Sequence, residues 1–333
     1  MAFDMLIGSE ELRARLARDI REHQLSHAYI LEGGVGYGKR TLATAVCAAL
    51  ACDKQMPGLP CTSCRGCQKV FEGKCPDVIR IRRQADKASI GVDDVRFIRS
   101  DVLIPPNDLD TKIYVIEEAD LMTQEAQSAL LLTLEEPPSY VLFLLLCQRA
   151  TSLLETIRSR VPVLRLLPVP SPMIDRHLTD TAPSFRALSR EQRDELLLLA
   201  DGSVGRAIAL LEEKERKPLL ERREIAGDYL RAVLGGRDLA LLESVLSRLE
   251  NAKRDALVLQ LEDIEAALRD LILLKRSERA PLRFYSDRSL AEELCERVSL
   301  SSLLALFDEV EGARAQLLRN ANARLVLTSL LLL

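Results

Sequence analysis

Gly33-Gly34-Val35-Gly36-Tyr37-Gly38-Lys39 sets Gly33, four residues, Gly38 and Lys39 at the spacing of a phosphate loop. Glycines such as Gly33, Gly36 and Gly38 let backbone N–H groups converge on phosphate oxygens, and a lysine adds positive charge at the start of the helix that follows. The chemistry to expect is capture of a nucleotide's phosphates; the bland alternative is a glycine turn that binds nothing. The next position, where a Ser or Thr hydroxyl normally ligates Mg²⁺, is Arg40. A guanidinium has donors only and cannot ligate a cation. Thr41 comes one residue late, turned by about 100° around the helix axis, and is a poor substitute. Glu117-Glu118 follows an apolar run where such ATPases usually carry Asp then Glu. Glu117 is one methylene longer than the usual metal-side Asp, and Glu118 stands where a water-activating base belongs; the alternative is two solvated carboxylates at a strand end. The pattern predicts a cradle in which Arg40 offsets phosphate charge, so that ATP binds without metal and is not turned over.

A second set of residues has metal spacing. Cys52, Cys61, Cys64 and Cys67 form C-x8-C-x2-C-x2-C, and overlapping CxxC steps can point several thiolates at one tetrahedral Zn²⁺. Four sulfur ligands close the shell, which predicts a structural zinc rather than a catalytic one. Pro57, Gly58 and Pro60 break up the segment between the first two ligands, so metal binding would supply its shape. Disulfides compete for these cysteines but are disfavoured in a reducing compartment. Cys75 is near enough to be a decoy ligand, and Cys47, Cys147 and Cys295 read as ordinary core cysteines.

These residues need elements to hold them. Leu12, Leu16 and Ile20 mark a first helix stripe, and a strand over 27–31 leads into the glycine loop and the helix from Thr41. Beyond the cysteines come a strand over 77–81, a helix over 92–101, a buried strand over 113–116, a helix over 123–134 stopped by Pro137-Pro138, and a buried strand over 140–147. Strands alternating with helices predict a parallel sheet covered on both faces, with the phosphate loop after an early strand. Pro168-Val169-Pro170-Ser171-Pro172 reads as a stiff linker, and the remainder as helices, with Ile264, Leu268, Leu271 and Ile272 on one stripe. The 333 residues exceed one core, so two or three domains are expected. The net charge of −4 argues against a protein that grips nucleic acid unaided. Met1-Ala2-Phe3-Asp4-Met5 does not open a secretory signal and no apolar run spans a bilayer, so a cytoplasmic protein without membrane contact is expected.

Several of these features together resemble one family. His27-Ala28-Tyr29 ahead of the loop, the cysteine module directly after the loop's helix, Ala129-Leu130-Leu131-Leu132-Thr133-Leu134-Glu135-Glu136-Pro137-Pro138, and Asn320-Ala321-Asn322 before the last leucine-rich helix are similar to the AAA+ subunits of bacterial DNA polymerase III clamp loaders. The resemblance implies an α/β fold: an AAA+ P-loop domain over 1–167 with its zinc module at 52–67, a helical lid over 168–216 and an all-α collar over 217–333 that mediates oligomerisation. It implies a hetero-pentamer with gamma or tau and delta subunits, ATP held between subunits, and contact with the sliding clamp (beta) and primed DNA through the complex. Ser159-Arg160 matches the family's Ser-Arg-Cys motif with Val161 in place of Cys, which would make Arg160 an arginine finger acting in trans; composition alone reads it as a solvated arginine. In Gly202-Ser203-Val204-Gly205-Arg206, Gly205 takes the place of a sensor arginine, and Cys147 or Gln148 that of a polar sensor. With Arg40, these departures favour a stator that supports its neighbours without turnover over a hydrolysing gamma- or tau-like motor. Polymerase activity would belong to other subunits.

Overall fold

The computed structural model describes residues 6–54, 60–84, 86–236, 238–250, 252–319 and 321–331. Pro57, Gly58, Asn320 and the Met1-to-Met5 start lie outside them. By its contacts the chain divides into two units, Met1–His177 with Gly202–Arg206, and Leu178–Asp201 with Ala207–Leu333.

The first unit runs α1 (Glu10–Arg21), β1 (Ala28–Glu32), α2 (Lys39–Leu50), α3 (Arg65–Phe71), β2 (Val78–Ile81), α4 (Val92–Asp101), β3 (Lys112–Ile116), α5 (Gln124–Glu135), β4 (Val141–Cys147), α6 (Glu155–Arg158) and β5 (Val163–Arg165), and it contains the start of α7 (Ser171–Thr181). The strands form one parallel sheet in the order β2-β3-β4-β1-β5. Alternate residues of each strand feed two apolar layers. Tyr29, Leu31, Ile113, Val115, Leu142, Leu144 and Leu146 pack with α1, α2 and α3, whereas Ile30, Tyr114, Ile116, Phe143 and Leu145 pack with α4 and α5. Burial on both faces explains why β3 and β4 are apolar at nearly every position. This is the α/β P-loop sheet that the sequence predicts. β1 lies between β4 and β5, while the chain leaving it goes to the far edge at β2; the loop after β1 therefore opens at a switch in strand order, where parallel sheets bind ligands. The elements not anticipated, α3, α6 and β5, are seven, four and three residues long, too short to carry a period.

Buried polar groups fix the approach to β3. Asp77 is fully buried and accepts the N–H groups of Asn107 (2.7 Å), Asp108 (2.6 Å) and Leu109 (2.8 Å). Lys112 is buried beside Asp101 (2.9 Å) and also donates to the Asp101 and Ile104 carbonyls, while the Tyr114 hydroxyl donates to the same carboxylate (2.7 Å). These contacts set the height at which β3 delivers Glu117.

The second unit contains the end of α7, then α8 (Pro183–Arg186), α9 (Arg190–Ala200), α10 (Val204–Ala209, whose first residues belong to the first unit), α11 (Glu213–Leu234), α12 (Leu239–Leu249), α13 (Arg254–Arg276), α14 (Arg288–Glu296), α15 (Leu300–Leu318) and α16 (Ala323–Leu331). α13 supplies Leu257, Leu261, Ile264, Leu268 and Leu271 to a single apolar core shared with α11, α12, α14, α15 and α16. Buried Asp270 accepts the N–H groups of Arg283 (2.8 Å) and Phe284 (2.7 Å), tying the loop ahead of α14 to α13. α11 runs unbroken through Pro218, so residues 216 and 217 share one helix. Among the described residues no helix is long and apolar enough to cross a membrane.

Hydrogen bonds to a charged acceptor contribute about 1.5–3 kcal/mol each when buried. Asp77→Asn is expected to lower unfolding stability by roughly 2 kcal/mol, read from the urea midpoint at constant m-value; an unchanged midpoint would remove Asp77 from its place as the anchor of the 107–109 loop.

Candidate phosphate-binding site and metal centre

The glycine loop runs from the end of β1 to the first turn of α2, whose N–H groups have no partners inside the helix. Gly36 (φ +76°) and Gly38 (φ +91°) take left-handed conformations that need glycine. The Lys39 ammonium is folded back on the loop, donating to the Gly33 (2.5 Å) and Gly34 (2.8 Å) carbonyls. Burial pushes its pKa down, opposed by the negative charge of Asp120. Gly202–Arg206 lies against the same loop. The Gly205 N–H donates to the Gly36 carbonyl (3.0 Å), and the buried Ser203 hydroxyl donates to the Val35 carbonyl (2.9 Å). A Cβ on Gly205 would stand 2.8 Å from Gly36 Cα, backbone against backbone. The glycine found where the resemblance expects an arginine is thus required by close approach, and Arg206 is exposed with its N–H on Ser203 Oγ (3.0 Å).

Around the two carboxylates the geometry goes beyond the sequence reading. Glu117 is only 1% exposed, and three arginines share it: Arg40 Nε lies 2.5 Å from one carboxylate oxygen, with Arg82 Nε (3.0 Å) and Arg80 Nη1 (3.4 Å) against the other. Arg80 also donates to the Thr44 hydroxyl (2.8 Å), which donates to the Arg40 carbonyl (2.8 Å), so the guanidinium ties α2 to the end of β3. Glu118 (φ +56°) is more open and pairs with Arg83 (3.5 Å). Thr41 is half-buried in the first turn of α2. Sequence reasoning missed Arg80, Arg82 and Arg83. Their signal was the Arg80-Ile81-Arg82-Arg83 run itself, but its meaning depends on register: Ile81 sits opposite Ile116, so Arg82 and Glu117 leave the sheet side by side. A buried carboxylate costs several kcal/mol unless paired, and Lys39 with Arg40 puts two cations at the positive end of a helix. Each cost offsets the other. Five cations, Lys39, Arg40, Arg80, Arg82 and Arg83, stand against Glu117, Glu118 and Asp120, an excess suited to phosphate and repulsive to a divalent ion.

The four cysteines converge. The sulfurs of Cys52, Cys61, Cys64 and Cys67 all lie within 4.8 Å of one another, with Cys52 to Cys64 at 3.9 Å and Cys61 to Cys67 at 4.0 Å. Four thiolates at about 2.3 Å from a tetrahedral zinc lie about 3.8 Å apart, so the donor set fits that ion. All eight cysteines are free thiols, and Cys75 is buried in the core outside the four. The Cys67 N–H donates to Cys64 Sγ (3.4 Å) and the Cys61 N–H to Cys52 Sγ (3.5 Å). The Ser63 N–H draws the Cys61 thiol down to about 6, while burial pushes Cys67 and Cys52 up. Gly66 makes the module possible: a Cβ there would lie 1.7 Å from the Ala51 carbonyl oxygen at the end of α2.

At the far end of β4, Cys147 is buried with its thiol pushed up to about 12 by burial, and the exposed Gln148 donates its N–H to Asp120 (3.1 Å). Glu32, at the end of β1, accepts from the Ala150 N–H (2.8 Å) and Arg165 Nε (2.8 Å); the Ala150 N–H, ahead of Arg165, holds its carboxyl below the usual range. Arg160 follows α6 on a backbone pinned by buried Ile157 and Val161, with its guanidinium half-exposed beside Glu135 (3.0 Å).

Residues 8–170 match the family model described as "DNA polymerase III, delta subunit". The tau subunit of DNA polymerase III from Bacillus subtilis (strain 168) is 27% identical over 286 residues, covering 86% of this chain and 48% of that protein. The tau subunit from Escherichia coli (strain K12) is 31% identical over 214 residues, covering 63% of this chain and 32% of that protein. A solved gamma-subunit-related protein of DNA polymerase III from Thermotoga maritima has a TM-score of 0.45 at 19% identity, covering 97% of each chain. The chain spans from a quarter to about half the length of such curated relatives.

Two outcomes follow for the cysteine module. Denaturing the purified protein in the presence of a chromogenic chelator is expected to release one zinc ion per chain, and Cys64→Ser to abolish it; protein prepared without chelators that contains no zinc would refute the metal centre. Gly66→Ala is expected to destabilise the first unit by about 2 kcal/mol or more, because the Ala51 carbonyl cannot yield as a side chain would; a thermal midpoint equal to wild type would refute that.

Proposed function

We propose, from its similarity to DNA polymerase III clamp-loader subunits, that this chain is the delta-prime subunit: a stator that does not hydrolyse ATP and supplies Arg160 to ATP held by a neighbouring subunit. One observation carries the reading, the pairing of buried Glu117 with Arg40, Arg82 and Arg80. In a hydrolysing P-loop enzyme, a hydroxyl after the loop lysine and an acid after the third strand hold Mg²⁺ between them. Here the first is a guanidinium and the second is already neutralised by guanidinium groups. Metal-assisted transfer would lack the first ligand and meet competing cations at the second. Lys39 turned onto its own loop, and Gly205 against Gly36, agree with a cradle that does not cycle.

On this reading the gamma or tau subunits bind ATP at subunit boundaries, open the sliding clamp (beta) together with delta, and place it on primed DNA, and hydrolysis releases it. This chain completes one ATP site of a hetero-pentamer from outside. Arg160, on its short pinned segment, offsets the charge that develops on the γ-phosphate, an effect worth about 10³ to 10⁵ in rate for a well-placed guanidinium. Its own loop binds ATP without metal or stays empty while the neighbour binds it. The zinc holds the segment after α2 in shape and takes no part in the chemistry. Residues 168–216 act as the lid and 217–333 as the collar that joins the subunits. A second reading, a catalytically active gamma- or tau-like subunit, is favoured by the curated relatives, which are tau and gamma subunits.

Turnover separates the two. The isolated chain with ATP and Mg²⁺ is expected to release phosphate no faster than a Lys39→Ala control, and Arg40→Thr alone to stay inactive because Arg80 and Arg82 still hold Glu117. Robust magnesium-dependent turnover by wild type would establish the motor reading instead. In the reconstituted complex, Arg160→Ala is expected to leave assembly on gel filtration intact and to lower DNA-stimulated ATPase severalfold; full activity would remove Arg160 as the finger.

A further inference from the structure

Arg160 does not hang free. Its Nη2 lies 3.0 Å from Glu135 Oε1, and its Nη1 donates to the Thr156 carbonyl (3.0 Å). Glu135 is the last residue of α5, followed by Glu136 and the Pro137-Pro138 stop, and no basic residue lies in that last turn. Two carboxylates at the negative end of a helix are electrostatically misplaced and attract a cation. The backbone beneath Arg160 is fixed: the N–H groups of Arg160 and Val161 both donate to the Ile157 carbonyl (3.1 Å each), and Ile157 and Val161 are buried. The pair itself is not fixed, because the side chains of Arg160 and Glu135 are 43% and 39% exposed. Such a pair shifts an equilibrium by no more than about fivefold. A rigid stem therefore carries a guanidinium on a weak, local carboxylate.

We propose that Glu135 is a positioning residue that parks the Arg160 guanidinium on its own subunit and yields it to a more highly charged anion, the terminal phosphate of a nucleotide on the adjoining subunit. This rests on the assignment of Arg160 as a trans-acting finger. A phosphate carries more charge than a carboxylate and accepts bidentate guanidinium contacts, so it displaces Glu135 when ATP is present, and Glu135 recaptures the arginine once the phosphate leaves. The parked state competes with ATP binding at that site. It keeps the guanidinium folded on this chain while the adjoining site is empty, at a small cost in apparent ATP affinity.

The test uses the reconstituted loader and steady-state ATPase at low salt. Glu135→Gln keeps the shape of the side chain and removes its charge, and it is expected to lower KM for ATP by up to about fivefold with kcat unchanged. Raising salt to about 0.5 M should erase the difference, because the parked pair is screened. In an Arg160→Ala background Glu135→Gln should have no effect on KM. A purely structural role for Glu135 at the end of α5 would change thermal stability and leave KM where it was. If Arg160→Ala lowers ATPase but Glu135→Gln leaves KM unchanged, or raises it, the parking role is overturned and the finger stands. If Arg160→Ala is without effect, the finger assignment itself fails, whatever Glu135→Gln does.

Discussion

A carboxylate taken almost completely out of water must be paired, and the pairing of Glu117 organises one whole end of the sheet. Arg40 reaches it from the first turn of α2, while Arg82 and Arg80 reach it from the end of β2. Two of the three guanidinium groups are largely exposed, Arg40 at 64%, so they keep part of their hydration while neutralising the acid; this makes the arrangement far cheaper than a fully buried ion cluster. The arrangement also bears on the proposed chemistry. A magnesium ion needs oxygen ligands with free lone pairs and a net negative surrounding. The end of the sheet offers an excess of cations and a carboxylate with guanidinium groups against both oxygens, although its Oε2 accepts no hydrogen bond.

Other departures in the same unit agree with this electrostatic choice. Lys39 makes its hydrogen bonds to carbonyls of its own loop, and Gly205 allows the start of α10 to lie directly on Gly36, a spacing that any side chain would break. The cysteine module contributes order rather than reactivity. Its four sulfurs lie within 4.8 Å of one another, and Gly66 lets α3 approach the end of α2, the same helix that carries Lys39 and Arg40 at its other end. A module that braces one end of α2 and a clamp that holds the other would fix that helix as a rigid strut.

Much of this was legible in the sequence where the signal is local. The glycine loop, Arg40 in the hydroxyl position, the four cysteines and the apolar strands β3 and β4 all declare themselves within a few residues. What stayed hidden depended on neighbours distant in the chain. Arg80 and Arg82, in and just beyond the expected strand over 77–81, carried no sign of a partner until the pairing of β2 with β3 brought them beside Glu117. Gly205 read as a missing arginine, and only the contact with Gly36 supplied its steric reason. Gly66 is one small residue between two ligands, and its importance lies in a carbonyl fifteen positions earlier. α3, α6 and β5 were too short for periodicity, and the expected boundary between residues 216 and 217 has no local mark in the structure, since both lie in α11.

The most direct test of the central claim is spectroscopic. Paramagnetic Mn²⁺ added to the isolated chain with a slowly hydrolysed ATP analogue reports, through its hyperfine coupling to phosphorus, whether a metal is held between the loop and Glu117. The account predicts that any manganese signal is that of the free metal–nucleotide complex, unchanged by the protein. A protein-bound manganese coupled to the β- and γ-phosphates, lost in Glu117→Gln, would contradict it.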